Sequence, residues 1–182
     1  MSPAWLSLAG KTAVIGSIGV ACVVLAAIAI PGGRFHRGPN NETSAIAACK
    51  MFAESEESYF ARHHCYAMTL NDLYDEEEKR SSTILGFARA EGDATTAMPR
   101  DGYIFRVLTR QGSAAIGGEM SYMEGTQMTK GYGLSAIPLR YDVTGRNTFI
   151  INQSGTIYQK DKGPAGGHEI MFNPDSTWIP AM

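Results

Sequence analysis

The first 41 residues contain no aspartate or glutamate, and the whole 182-residue chain has only three cysteines and 19% charged side chains. Each scarcity excludes something. Three cysteines cannot supply the framework of a disulfide-stapled miniprotein. Basic surplus is missing from the body: Lys11, Arg34 and Arg37 give residues 1–39 a charge of +3, leaving −5 on the remainder of a chain whose net charge is −2. An acidic body does not neutralise phosphates, so no nucleic-acid partner is expected. With 44% hydrophobic residues, the chain is equally far from a disordered polymer.

What is present begins with an uncharged run, Thr12 to Ile30, TAVIGSIGVACVVLAAIAI. As a helix it spans about 28 Å, close to the roughly 30 Å hydrocarbon layer of a bilayer. It has no polar face, so it does not read as a buried helix of a small domain. The expectation is an N-terminal transmembrane helix with residues 12–30 in the membrane. A cleaved signal peptide is the alternative, because Ala27-Ile28-Ala29 has the small-x-small form of a cleavage site. Charge does not settle orientation, with Lys11 on one side and Arg34 and Arg37 on the other. A first apolar segment normally starts export, which places the body in the periplasm or outside the cell. The expected location is the bacterial inner membrane, or the periplasm and beyond after cleavage.

Pro31-Gly32-Gly33 stops this segment, and RFHRGPNN over residues 34–41 is a polar tether. The organisation expected is an anchor or signal over 1–31, the tether over 32–41 and one domain over 42–182. In that domain Ala45, Ala48, Cys49, Phe52, Tyr59 and Phe60 recur with a helical period, while Lys50, Glu54, Glu57 and Arg62 fall on the opposite side. A helix over about 42–63 follows, capped by Asn41 or Thr43 with Glu42 near its positive end. Tyr66, Leu70 and Leu73 are apolar anchors after it. Asp75 to Arg80 reads as a solvated charge run and residues 81–100 as irregular, with a short helix around Ile84 to Ala90.

From Gly102 the texture becomes β. Tyr103–Thr109, Gly133–Pro138, Thr148–Asn152 and Thr156–Gln159 read as strands, with Gln111–Gly118 a loop and Gln153-Ser154-Gly155 a hairpin turn. Helix first and locally connected strands afterwards is the pattern of an α+β domain, one long helix packed on a small antiparallel sheet.

A family resemblance rests on the stretch from Gly102 to Pro164 and on NPDSTW near the end. Its landmarks include Gly102-Tyr103, Gln111-Gly112, Gly117-Gly118, Tyr122, Gly145, Tyr158-Gln159-Lys160-Asp161 and Asn173-Pro174-Asp175. This resembles the bacterial family known as domain of unknown function 2950, whose members are typically exported and which has no assigned reaction. The resemblance implies location and fold rather than chemistry. The architecture also resembles type IV pilins and the pseudopilins of type II secretion, through a helix followed by Tyr66, Leu70 and Leu73. It departs from them where prepilins place a glutamate five residues after the cleavage glycine: the fifth residue after Gly10 is Ile15. A pilin-like shape is therefore expected without the usual filament contact.

No catalytic, cofactor-binding or metal-ligating residue is assigned. His63, His64 and Cys65 are adjacent and point apart, and no second ligand cluster follows. Sixteen residues of helix hold Cys49 and Cys65 about 24 Å apart, beyond disulfide reach. Gly133-Leu134-Ser135-Ala136-Ile137 lacks the closing glycine of a nucleophile elbow. Glu54 and Glu57 suit an exposed face, and Glu56, nearer the buried stripe, is expected to bond the sheet. Tyr103, Tyr122, Tyr132, Tyr141 and Tyr158 are the candidate interaction surface, with core packing as the competing role. No cofactor is expected. The functional expectation is a non-enzymatic structural or interaction component of the envelope, with envelope proteins or a second copy as partners. A periplasmic binding protein and an envelope hydrolase are the alternatives.

Overall fold

The 3.6-residue stripe becomes the buried side of α1 (Pro39–His63) in a computed structural model that describes residues 39–73 and 98–181. Ala45, Ala48, Cys49 and Phe52 are buried, while Lys50, Glu54, Glu57 and Arg62 are exposed, as their spacing requires. The anchor segment, the charge run and the short helix expected around Ile84 lie outside the described residues. Among those described, no helix is long and apolar enough to cross a membrane.

The first turn of α1 differs from expectation. The helix begins at Pro39, a residue suited to an N-terminus because it has no amide hydrogen to leave unpaired. Asn41 is not a cap: its buried Nδ2 donates to the carbonyl of Thr144 at 2.8 Å. Glu42 accepts from the backbone amides of Arg146 and Asn147 at 2.8 and 3.1 Å. Two consecutive side chains thus fasten the helix start to a segment more than 100 positions away. At the other end His64 takes a left-handed conformation (φ 57°) and donates its amide to Phe60 O at 2.8 Å, which ends the helix. Cys49 and Cys65 are both free thiols, and burial pushes the Cys49 thiol up to about 12.

Among the described residues ten strands follow: β1 (Met98–Arg100), β2 (Tyr103–Leu108), β3 (Arg110–Gln111), β4 (Met120–Ser121), β5 (Met123–Glu124), β6 (Gln127–Met128), β7 (Gly133–Pro138), β8 (Asn147–Asn152), β9 (Tyr158–Asp161) and β10 (Ile179–Pro180). Six of them form one sheet in the order β1-β2-β7-β8-β9-β10, with every neighbouring pair antiparallel. The fold is α+β, one helix on an antiparallel sheet. The short pairs β3–β4 and β5–β6 stand apart and fill the connection between β2 and β7.

The fourth strand begins at Tyr158 rather than Thr156, because Ile150 pairs with Tyr158 and residues 153–157 form a longer connection after β8. Asn152 organises that connection, its Oδ1 accepting from the amide and hydroxyl of Ser154 at 3.1 and 2.7 Å.

The helix covers one face of the sheet, where Tyr103, Phe105, Leu134, Ala136, Phe149 and Ile151 meet Ala45, Cys49 and Phe52. A second cluster lies on the other face: Leu108, Ala115, Ile150, Phe172 and Trp178. No helix covers it among the described residues. The chain after β9 does so instead, with Phe172 donating its amide to Arg110 O at 3.0 Å and Gly112 donating to Phe172 O at 2.9 Å.

Gly145, in the connection between β7 and β8, marks a tight approach to the helix-side core. A Cβ there would lie 2.1 Å from the Tyr103 hydroxyl, which donates to Asn147 O at 3.0 Å. Gly145→Ala is expected to destabilise the fold by about 1–3 kcal/mol, the usual cost of overpacking. Chemical denaturation of both backgrounds checks it: the cost should shrink on a Tyr103→Phe chain, where the hydroxyl is gone, and equal costs would refute the contact.

Candidate functional site

Strand alternation sorts the side chains of β2 and β7. Tyr103, Phe105, Leu134 and Ala136 face α1, so Ile104, Arg106, Ser135 and Ile137 face the opposite way. The register sets Ile104 beside Ile137 and Arg106 beside Ser135, with Ile150 of β8 next to Ser135. Residues 162–172 cross this face as a strap on their way back to β3.

Between strap and sheet lies a groove of about 200 Å³. Ile104, Ile137 and Thr148 line it from the sheet, and Tyr141, Arg146 and Lys162 from its rim. The rim cations are neutralised locally. Arg146 Nη2 lies 2.6 Å from Asp142 Oδ1, and Lys162 pairs with Glu169 while donating to Gly167 O at 2.7 Å. That last pair of contacts ties the strap to itself.

Arg106 differs from them. It has no carboxylate partner among the described residues. Its Nε, the Oγ of Ser135 and the Nδ1 of His168 are buried and have no hydrogen-bond partner among those residues. Ser135 is 0% exposed. Burial, then the charges of Arg106 and Lys162, hold the His168 imidazole below its ordinary pKa, so the ring is neutral at neutral pH. Ser135 Oγ and His168 Nδ1 do not bond each other, so the serine–histidine contact that activates a hydrolytic nucleophile is not made.

The five tyrosines do not share a surface. Tyr103, Tyr122 and Tyr132 are buried, at 0, 0 and 2% exposed, which corrects their assignment to an interaction patch. Each ring sits in the helix-side core and each environment is closed. The Tyr122 hydroxyl donates to Gln111 Oε1 at 3.0 Å, and the Tyr132 ring packs edge-on against Phe52 and Tyr66 at 5.7 and 5.0 Å. Burial, with Glu42 and Glu57 respectively adding to it, pushes the Tyr103 and Tyr132 phenols well above the usual range, so both remain protonated. Tyr141 stays on the groove rim, donating to Asp161 Oδ2 at 3.1 Å, and Tyr158 lies half-buried against Phe172.

Ser135, Arg106 and His168 were missed as a group. The sequence signal for two of them is a polar residue at the same strand parity as an isoleucine of the groove, Ile104 for Arg106 and Ile137 for Ser135; nothing local marks His168.

Glu56 departs from expectation too. It is 0% exposed and bonds the chain after the helix, accepting the Ala67 amide at 2.8 Å, rather than the sheet. Its Oε1 has no partner among the described residues. Desolvation pushes the carboxyl up to about 8 against the lowering effect of the Ala67 amide, with Asp72 and Glu57 adding to the rise.

A helix-on-sheet α+β domain with a strapped second face is the class these observations define. The chain belongs to the family described as "Protein of unknown function (DUF2950)", whose model matches residues 34–180. No curated protein and no solved structure matches the chain.

The Glu56 carboxyl generates a pH dependence of stability. The folded group keeps its proton up to about 8, while the unfolded one ionises near its ordinary 4.5. Folding therefore takes up a proton between those values, and this contribution, full below the lower value, is lost as pH rises to the upper one. Glu56→Gln keeps the acceptor for Ala67 and cannot ionise. It should be more stable than the parent at pH 8 by on the order of 3 kcal/mol and nearly equal at pH 5, read by denaturation at both. Parallel pH profiles would refute the assignment.

Proposed function

We propose that this chain is an exported interaction component of the bacterial cell envelope, held on the inner membrane by residues 12–30 with its folded body in the periplasm or outside. The uncharged 19-residue run supports the anchor. The helix-then-sheet order supports a pilin-like shape for the body, and the reading needs no catalysis.

The observation that carries the interaction role is Ile116. It is 83% exposed at the tip of the loop between β3 and β4. That loop is held from within: the Gln111 side-chain amide donates to Ile116 O and Gly118 O at 3.0 and 2.8 Å, and Ala114 donates its amide to Asn173 Oδ1 at 2.9 Å. A loop fixed in this way loses little conformational freedom when it binds. Burying the isoleucine in an apolar socket contributes roughly 1.5–3 kcal/mol. The flanking residues 112–118 are uncharged, so no charge has to be desolvated.

The groove favours a second reading, a periplasmic protein that binds through its sheet face after signal cleavage. Terminal mass spectrometry separates the two, since a mature start at Ile30 or beyond overturns the anchor. A photo-reactive residue substituted at position 116 tests the interaction role in intact cells. One discrete adduct from membranes, weakened at least fivefold when a neighbouring contact is blocked by Ala114→Asp, is expected. Recovery of the monomer alone would refute it.

A further inference from the structure

The second face of the sheet holds a polar group that its own surroundings leave incomplete. Arg106 and Ser135 are register partners at the centre of β2 and β7, and His168 on the strap is close enough to feel the Arg106 charge. Three atoms, Arg106 Nε, Ser135 Oγ and His168 Nδ1, are buried without partners among the described residues. Native proteins pair nearly all such atoms, with protein, water or a bound group. All three can donate: the guanidinium always, the hydroxyl by rotation, and the neutral imidazole when Nδ1 carries the ring hydrogen.

Charge points the same way. The ionisable groups around this cluster are Arg106, Lys162, Glu169 and His168; Lys162 and Glu169 cancel, and His168 is neutral. Among the described residues one positive charge is left over, that of Arg106. A water molecule would satisfy the donors but not the charge, whereas a monoanion satisfies both. Next to it, two positions along β2 and on the same face, Ile104 begins the groove, and Ile137 and Pro138 continue it on β7. Lys162 borders both compartments.

We propose that Arg106, Ser135 and His168 form a carboxylate subsite, and that the adjoining groove takes the short apolar group attached to that carboxylate. Two sources share this chemistry, a free aliphatic acid and the C-terminal carboxylate of a peptide. The strap over residues 162–172 is the element that must yield to admit either one. It is closed by contacts of Lys162 with Glu169 and Gly167, which lie on the strap itself and not on the sheet. The site is independent of how the chain is held in the envelope.

Calorimetry on the full chain in detergent micelles tests the site with 3-methylbutanoate, N-acetylleucine, 3-methylbutanamide and inorganic phosphate. Saturable binding of at least one carboxylate is expected, with no binding of the neutral amide and weaker binding of phosphate. Tighter binding of N-acetylleucine identifies a peptide terminus as the source, and tighter 3-methylbutanoate a free acid. Arg106→Gln should weaken the carboxylate at least tenfold, and Ser135→Ala, which leaves the strand intact, about threefold to tenfold. The His168 imidazole resonances should move on titration with the same midpoint. Failure of both carboxylates to bind, equal binding of the amide, tighter phosphate, or an undiminished Ser135→Ala chain would each overturn the proposal.

Discussion

The constraint on which this structure depends is that its sheet is buried on two faces and, among the described residues, one long helix lies on only one of them. β7 and β8 are buried along nearly their whole length, so neither face can be left to water. α1 covers one. The other is covered by irregular chain, and irregular chain brings backbone amides and carbonyls that no ladder pairs. Polar side chains therefore have to enter the protein with it. Gln111 is the clearest example, 1% exposed, with its amide donating to two loop carbonyls and its carbonyl accepting from Tyr122. Asn152 adds weaker contacts to the same centre at 3.4 Å. Removing one member of such a network strands the others, so each is held in place by the rest.

The same logic explains the fastening of α1. A helix lying on a sheet can slide along its own axis with little loss of apolar contact. Asn41 and Glu42 remove that freedom by bonding groups between Thr144 and Asn147, where β8 begins. Glu42 also sits where the helix dipole favours a carboxylate, so one side chain serves the helix and the sheet together. Its role was half legible: an acid in a first turn is a familiar helix signal, but its backbone partners lie more than 100 positions along the chain.

That division between local and distant partners accounts for what could be read from the sequence. The helix, the α+β class and four of the six strands of the main sheet were legible, because periodicity is a local property. β1 and β10 were not, at three and two residues, since strands that short exist only through their neighbours. Tyrosine was misread for a related reason. Its composition suits an interface and a core equally, and the choice depends on whether a partner for the hydroxyl is nearby in space. Tyr103 finds Asn147 O and Tyr122 finds Gln111, across 44 and 11 positions, so both rings are buried.

The landmarks that carry the family resemblance bear on the same question. Gly145 makes room for the Tyr103 hydroxyl, Gln111 holds its loop with Tyr122 bonded to it, and Asn173 closes that loop from outside. A Cβ on Gly112 would lie 2.5 Å from the Asn173 side chain, so those two landmarks constrain each other. Tyr103 and Tyr122 belong to the helix-side core, while Gln111, Gly112 and Asn173 fasten the loop and the chain that cover the second face. None of them meets a groove or an unpaired charge. The same family stretch, Gly102 to Pro164, also carries Arg106, Ser135 and the groove residues Pro138 and Tyr141, so scaffold and groove are written in one piece of chain. Arg106 and Ser135 lie on the sheet beneath the strap and His168 on the strap itself, and among the described residues nothing supplies a partner for the Arg106 Nε, the Ser135 Oγ or the His168 Nδ1.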